Sequence, residues 1–348
     1  MESASITKTP LLGMSPDDIK EICSRLGMPP FTATQITDWI YKKRAASFDE
    51  MTNLSKKNRA LLESEYSTGR TPPAEYQKSK DGTVKYLFST ENNLHIEAVY
   101  IPEADRATLC ISSQVGCKMN CSFCMTGRQG FQGQLTTAEI LNQIFSLPEF
   151  ETLTNVVYMG MGEPLDNLKP VLQSLEVLTA EWGLAWSPKR VTLSTIGIVP
   201  ALEEFLEKSQ VHLAVSLHDP FGEERKEFMP VQKAYPLSEV ISTIKRYDFS
   251  RQRRVSFEYI MFKGVNDSRR HADEVVRLVN GLKCRFNLIR FHSFPGAPFE
   301  GSDDETIFRF QDRLKAKGLT CTVRASRGQD ILAACGMLST EKNKENVH

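Results

Sequence analysis

Three cysteines fall within eight residues, Cys117, Cys121 and Cys124, in the order Cys-x-x-x-Cys-x-x-Cys. Three thiolates at this spacing can wrap three irons of a [4Fe-4S] cube and leave the fourth iron without a protein ligand. That open corner can take a small molecule bearing an amino and a carboxylate group, beside a source of single electrons. A structural zinc site is the competing reading, but zinc takes four ligands and favours paired Cys-x-x-Cys spacings. An aromatic residue, Phe123, stands directly before the last cysteine.

The same spacing with that aromatic resembles the radical S-adenosylmethionine (SAM) superfamily, in which the cluster cleaves SAM to a 5′-deoxyadenosyl radical. A second set of residues is consistent with such chemistry. Met159-Gly-Met-Gly162-Glu163-Pro164 follows one apolar run, Ser194-Thr195 the next, then Ser216-Leu217-His218, and finally His292-Ser293 after a later one. In a barrel of parallel strands the active site forms at the carboxyl ends of the strands. Glycines at 160 and 162 let the backbone approach a ligand closely, and Glu163 could bond the SAM amino group. Taken singly, the glycine motif could be an ordinary turn and His218 a capped core histidine. Their arrival together at matching strand ends favours a shared pocket. Cys335, before Gly336 in an apolar setting, and Cys110, inside the first strand of the series, read by themselves as buried small residues. Cys23, Cys284 and Cys321 read the same way.

These residues need elements to position them. Residues 15 to about 65 read as helical. Ser15-Pro16-Asp17-Asp18 is a cap with proline at the first helical position and acids in the first turn, and Ile19, Ile22, Cys23 and Leu26 recur at helical spacing until Gly27. A second helix is expected from about Thr34 and a third over 56–66. Thr71-Pro72-Pro73 separates this region from strand-like runs at 84–89 and 94–101. From Thr108 onward apolar, β-branched strands alternate with longer helical segments. The strands expected are 108–112, 155–159, 190–194, 212–217, 255–261 and 285–291, with a further strand-like run at 320–325. Helices are expected to begin near Thr136, Leu168, Val199, Leu237, Arg270 and Thr306, the first with a Thr136/Glu139 capping box. Six βα units imply a parallel sheet, either an open doubly wound sheet or an incomplete barrel. Residues 341–348 form a polar tail.

Composition narrows the class. The 348 residues suit one barrel-sized domain and a small accessory one, and 41% hydrophobic with 25% charged residues fits an ordinary globular chain. There is no run of eighteen apolar residues to span a membrane, and no signal-peptide pattern at the start, so a cytoplasmic protein is expected. Eight cysteines in such a chain argue against a structural disulfide framework. Forty-three basic residues balance forty-three acidic ones, so overall charge offers no argument for a nucleic-acid partner. Basic clusters at Lys42-Lys43-Arg44, at Lys56-Lys57 with Arg59, at 251–254, and at Arg324 with Arg327 read as solvated faces.

A longer set of segments carries a more specific resemblance. Glu97-Ala-Val-Tyr-Ile-Pro, Arg106-Ala-Thr-Leu-Cys110-Ile-Ser-Ser-Gln-Val-Gly-Cys117, Met-Gly-Met-Gly-Glu163-Pro-Leu-Asp-Asn, Leu193-Ser-Thr-Ile-Gly, Ser216-Leu-His, Phe294-Pro-Gly-Ala-Pro and Ala333-Ala-Cys335-Gly together resemble the RlmN/Cfr family of RNA adenine methyltransferases. The resemblance covers nearly the whole chain and implies an α/β fold: an incomplete (βα)6 radical SAM barrel over 105–336. A helix-hairpin-helix-like RNA-binding accessory domain would occupy 1–70, a β linker 71–104 and a polar tail 337–348. It implies methyl transfer to an adenine ring carbon. Adenine C2 lies between two ring nitrogens and is too electron-poor to attack the SAM methyl directly, so radical chemistry is needed.

By the same resemblance, two SAM molecules serve each turnover and Cys335 is the methyl carrier. Its thiolate is the nucleophilic form. A covalent protein–RNA adduct is resolved by Cys110 in a thiol–disulfide exchange. Glu97 handles the proton, and Gly162, Glu163, Ser194, Ser216, Leu217 and His218 contact SAM. His292 stands where the family usually has asparagine, and a histidine can also donate or accept a hydrogen bond. The implied partners are 23S ribosomal RNA, with transfer RNA a second substrate in some members, and a flavodoxin-type reductant. A monomer is expected. The target base must be unstacked to reach a barrel interior. Two alternatives stay open. Ser194-Thr-Ile-Gly-Ile and Glu223-Glu-Arg with Met229-Pro230 resemble the branch that modifies adenine C8, whereas Pro164, Tyr100-Ile-Pro and Phe294-Pro-Gly-Ala-Pro resemble the C2 branch. A non-catalytic iron–sulfur or zinc RNA-binding protein would explain the three clustered cysteines, but neither the further cysteine pair nor the strand-end residues.

Overall fold

A computed structural model describes residues 8–249, 253–294, 296–334 and 336–338. Cys335, residues 251 and 252 of one basic cluster, and the polar tail 341–348 lie outside the described residues. The chain divides into two compact units.

The first unit comprises residues up to Pro73 together with Leu135–Glu151 and Lys169–Ser187. Helix α1 (Pro16–Arg25) starts at the Ser15 cap: Ser15 Oγ accepts the Asp18 amide while the Asp18 carboxylate accepts from Ser15. Helix α2 (Phe31–Tyr41) begins three residues before Thr34, directly behind Pro29-Pro30. Helix α3 (Lys56–Glu65) is capped by Ser55. Tyr41 explains why later segments join this unit. Its ring is fully buried, edge-on to Phe145 and Trp182 at 6.1 and 5.2 Å. Its hydroxyl accepts the Gly13 amide at 3.0 Å and donates to the Met14 carbonyl at 2.5 Å. Asn142 pairs with the backbone of Thr71 at 2.9 and 3.0 Å. Two basic residues read as solvated are engaged within the unit. Lys42 donates to the carbonyls of Glu181 and Gly183, and Arg44 pairs with Glu151 and lies 3.8 Å from the Phe150 ring centre.

The second unit is built on a ten-stranded sheet. Strands β1 (Glu75–Lys78), β2 (Val84–Ser89), β3 (His95–Pro102) and β4 (Ala107–Cys110) run as an antiparallel meander. From β4 onward the sheet is parallel, through β5 (Asn155–Tyr158), β6 (Val191–Thr195), β7 (His212–Ser216), β8 (Val255–Met261), β9 (Cys284–Arg290) and β10 (Thr320–Val323). The near-continuous burial of β7 and β8 is what a parallel sheet covered on both faces requires. The sheet ends on β1 and β10 without closing on itself, which is the incomplete barrel. The segment after β10 bridges to the β1–β2 turn, where Asp330 accepts from Ser79 Oγ at 2.6 Å and Asp81 accepts the Gly328 amide at 3.0 Å.

The helices between strands start close to their expected positions: α5 (Thr137–Phe145), α6 (Leu168–Thr179), α7 (Val199–Lys208), α9 (Leu237–Lys245), α10 (Arg269–Leu278) and α11 (Asp304–Ala316). Two short helices were not expected, α4 (Met125–Gln129) and α8 (Gly222–Phe228).

Candidate active site

Strand register fixes which side chains share a face. Cys110 lies opposite Val99 of β3 and beside Val157 of β5, which is beside Thr192 of β6. Alternation then carries Glu97, Ser194, Ser216, Glu258 and Asn287 onto the face that holds Cys110, since Ser194 pairs with Ala214 and Ser216 with Glu258. Glu97, Cys110, Ser194 and Ser216, drawn from four strands, are therefore on one face of one sheet. Glu97 is buried and its carboxylate lies 3.0 Å from Lys85 Nζ.

The loop leaving β4 carries the three cysteines across the carboxyl end of that face. Ser112 Oγ donates to the Glu97 carbonyl at 2.6 Å and accepts the Met161 amide at 2.8 Å. The Gln114 side chain accepts the Glu163 amide at 2.7 Å and donates to Asp166 at 2.7 Å, and Asn167 donates to the Ser113 carbonyl at 2.9 Å. The two glycines serve this approach of one loop to another. A Cβ on Gly160 would stand 2.6 Å from the Ile111 carbonyl oxygen. One on Gly162, whose φ is +99°, would stand 2.5 Å from Gln114 Cβ.

Cys121 is buried and Cys117 and Cys124 are half-buried. The Cys124 amide donates to the Cys121 carbonyl at 3.1 Å, and Cys124 is the residue from which α4 starts. Phe123 turns inward to an apolar cluster with Cys121, Ile196, Phe228, Ile260, Phe262 and Ile289. Its ring is 5.1 Å from His218 and 5.5 Å from Phe262. Burial pushes the Cys117 thiol up to about 12, and the neighbouring acids and thiols push the same way. Burial also pushes the Cys121 thiol well above its ordinary value, with Cys124 and Cys117 adding to it and Arg225 opposing. Thiols so desolvated become thiolates only against a strongly positive centre, which a metal site supplies.

The donor set fits an iron–sulfur cluster and not a single ion. Among the described residues the one trio of ligand atoms within 4.8 Å of one another is Asp219, Glu224 and His271. The cysteine sulfurs are not such a trio, so at least two of them stand more than 4.8 Å apart, wider than the ~4 Å that zinc with 2.3 Å bonds imposes.

Around this loop stand the other strand-end residues. Glu163 is buried, and its carboxylate accepts from Thr195 Oγ1 at 2.5 Å, the Leu165 amide at 3.1 Å and the Ile196 amide at 3.0 Å. Burial raises it to about 7 against the pull of those three donors. Ser194 and Ser216 are half-buried, and Leu217 is fully buried. His218 has a left-handed backbone (φ +55°), and its Nδ1 accepts the Ile260 amide at 3.1 Å, leaving the proton on Nε2. Burial, helped by Arg225, holds it neutral at about 3. His292 is half-buried with Nε2 2.6 Å from Ser326 Oγ, and burial lowers its pKa. Of the segment around Cys335, the Gly336 carbonyl accepts the Met125 amide at 2.8 Å and the Leu338 carbonyl accepts from Thr126 Oγ1 at 2.6 Å. Both contacts fall on the first turn of α4, immediately after Cys124.

Sequence reading missed Arg225. It is fully buried. It donates to the carbonyls of Leu217 and Ser216, each at 2.9 Å, and to Gln232 at 2.7 Å, so one guanidinium braces the exit of β7. It also missed Ser112, Gln114 and Asn167, whose polar side chains join the loops. Only the crowding of small and polar residues next to the glycines hinted at them.

Comparison with known proteins agrees with this geometry. The sequence profile of the radical SAM superfamily matches residues 111–277, and that of the ribosomal RNA large subunit methyltransferase N-terminal domain matches residues 9–67. A probable dual-specificity RNA methyltransferase RlmN from Parabacteroides distasonis is 58% identical over 338 residues, covering 97% of this chain and 98% of its own. The dual-specificity RNA methyltransferase RlmN from Syntrophus aciditrophicus is 43% identical, covering 96% and 97%. The chain belongs to the RlmN family of radical SAM RNA methyltransferases. A crystal structure of a radical SAM methyltransferase from Sphaerobacter thermophilus superposes with a TM-score of 0.90 at 40% identity, covering 95% of this chain and 99% of that one. The fold is therefore that of a radical SAM methyltransferase. Membership of the superfamily implies a [4Fe-4S] cluster and SAM as its cofactors. No described helix is long and apolar enough to cross a membrane.

Proposed function

We propose that this chain methylates C2 of an adenine in 23S ribosomal RNA, and of transfer RNA as a second substrate, through an S-methylated Cys335 and a covalent protein–RNA adduct. The observation that carries the reading is the convergence at one end of the second unit. The cysteine loop caps the sheet face bearing Glu97 and Cys110, and the chain on the far side of Cys335 is fastened to α4 just behind Cys124. The dual-specificity names of the relatives support two RNA substrates.

In this reading Cys117, Cys121 and Cys124 hold the cluster. Gly162, Glu163, Ser194, Ser216, Leu217, His218 and His292 hold SAM. The Glu163 oxygens retain acceptor capacity for an ammonium group beyond their three donors, and His218 keeps Nε2–H as a donor. When bound, the cluster would supply one-electron reduction of SAM, and the methyl group on Cys335 would be the site from which the resulting radical takes hydrogen. Cys335 first acquires that methyl by displacement from another SAM molecule, its thiolate acting as nucleophile. The methylene radical on the Cys335 sulfur would add to C2, and Glu97, paired with Lys85, would take up the C2 proton as the adduct gives its one excess electron back to the oxidised cluster. Cys110 then attacks the Cys335 sulfur, forming the Cys110–Cys335 disulfide as the base departs. A flavodoxin-type protein supplies electrons, and the enzyme works as a cytoplasmic monomer.

The two cysteines make the test asymmetric. Cys335→Ala removes the carrier, so neither protein nor RNA gains a methyl group. Cys110→Ala keeps the carrier but cannot resolve the adduct, so the protein is isolated with nuclease-sensitive extra mass on denaturing gels. The double variant loses that mass. Normal turnover by Cys110→Ala without trapped RNA would overturn the resolving role.

A further inference from the structure

Behind the strand-end residues, and independent of the methyl-transfer reading, three ligating side chains meet where β7, α8 and α10 come together. Asp219 follows His218, Glu224 lies on α8 and His271 on α10. His271 Nε2 is 2.9 Å from Glu224 Oε2 and 3.8 Å from Asp219 Oδ2. Asp219 and His271 are buried, with side chains 0% and 5% exposed. Each residue is anchored through its other polar atom. Asp219 Oδ1 accepts the Phe221 amide at 2.7 Å, His271 Nδ1 is 2.7 Å from Ser268 Oγ, and Glu224 Oε1 pairs with Arg270. Arg270 in turn stacks 3.8 Å from the Phe221 ring centre, and that ring stands edge-on to His271 at 5.3 Å.

The atoms left over face one another, and one of them is an anomaly. Asp219 Oδ2 is fully buried and has no hydrogen-bond partner, although a buried carboxylate oxygen without a partner is costly. Burial pushes this carboxyl up to about 7, with Glu224 adding to it and the Phe221 amide, Arg270 and Arg225 opposing. Zinc bonded at 2.0–2.2 Å in tetrahedral geometry holds its ligand atoms roughly 3.3–3.6 Å apart, and the two measured separations lie on either side of that range. The Glu224 carboxylate can only accept, so here Nε2–H donates to it; once an ion takes Nε2, Ser268 Oγ can accept from Nδ1–H, the arrangement by which metal-binding histidines are oriented.

We propose that Asp219, Glu224 and His271 bind a divalent transition metal of the zinc class, with one coordination position left to water. One nitrogen and two carboxylate oxygens suit zinc or manganese and not the sulfur-rich cluster site. The ion displaces the proton shared between His271 and Glu224, and the two carboxylates balance its charge. It fastens the exit of β7 to α8 and α10. Glu224 directly precedes Arg225, which braces the carbonyls of Ser216 and Leu217, so a bound ion would stiffen the strand end next to the methyltransferase site.

The test uses the full chain with its cluster, prepared without oxygen, stripped with EDTA, exposed to zinc sulfate and desalted, with zinc and iron then measured by elemental mass spectrometry. The wild type should retain one zinc per chain at unchanged iron. Asp219→Asn and His271→Gln should each lose the zinc while keeping iron and circular dichroism. Ser268→Ala, which removes no ligand, should weaken zinc affinity about tenfold, and it decides the matter should either ligand variant fold poorly. Failure of the wild type to retain zinc overturns the proposal. So does zinc retained equally by all three variants, which would assign it to thiols elsewhere.

Discussion

Gly162→Ala should be one of the most damaging single-methyl changes in the second unit. The backbone there sits at φ +99°, and the added Cβ would stand 2.5 and 2.7 Å from Gln114 Cβ and Cγ and 2.8 Å from its amide nitrogen. A side chain at left-handed φ costs roughly 1–2 kcal/mol, and overpacking a close contact adds about 1–3 kcal/mol. Because the nearest atoms include backbone, rotating the Gln114 side chain cannot relieve the clash. The two loops must part, and Gln114 then releases the Glu163 amide it holds at 2.7 Å. The sum, about 2–5 kcal/mol, corresponds to a fall in Tm of roughly 4–20 °C for a domain of this size. Calorimetry under anaerobic conditions measures it, with iron content reporting the cysteine loop. Gly133→Ala is the control, since an added methyl there would meet nothing within 4 Å, and it should stay within about 0.5 kcal/mol of wild type. Equal behaviour of the two variants would refute the loop-to-loop role of Gly162.

Cys121→Ala should lose the iron and all SAM cleavage, and stoichiometric zinc in protein reconstituted without oxygen would contradict the cluster. Phe123→Ala empties the centre of the aromatic cluster against His218 and Phe262 and should cost about 3–5 kcal/mol, read by calorimetry; a loss below about 1 kcal/mol would count against that packing. Arg44→Gln removes the Glu151 pair and the Phe150 stack and should lower stability by about 1 kcal/mol without changing the salt dependence of RNA binding; a shallower salt slope would instead assign Arg44 to phosphate contact. His212 is held neutral, its Nδ1 accepting the Arg254 amide at 3.0 Å, and burial lowers it from 6.5 to about 4. Its folded-state pKa is depressed, so its contribution is complete above pH 6.5 and is lost as pH falls from there towards 4. Compared with His212→Gln, the wild type should lose stability more steeply across that window in paired denaturant titrations, and parallel curves would remove the effect.

The parallel strands were legible because each is a short apolar, β-branched run between helix caps, and Thr136 with Glu139 marked one cap outright. Helix α2 starts earlier than its apolar periodicity indicated, since Phe31 and Thr32 extend it back to Pro30. Short α4 and α8 carry too little periodicity to register. In α8 the run Glu223-Glu-Arg-Lys-Glu reads as solvated, and only the carbonyls exposed at the end of β7 draw Arg225 inside. Glycines 160 and 162 were visible as places of close approach, but the sequence could not say that the approaching group is the Cys117-bearing loop. The joining of α5 to the first unit depends on the burial of Tyr41 against Phe145, a contact between residues far apart in sequence. The cysteine spacing was legible by itself, because all three cysteines lie within one loop.

The most direct test of the proposed activity is nucleoside mass spectrometry of ribosomal and transfer RNA from cells with and without the gene, resolving 2-methyladenosine from 8-methyladenosine. The proposal predicts 2-methyladenosine that disappears with the gene and returns with the wild-type chain but not with Cys335→Ala. Appearance of 8-methyladenosine instead, or methylation unchanged by loss of the gene, would contradict it.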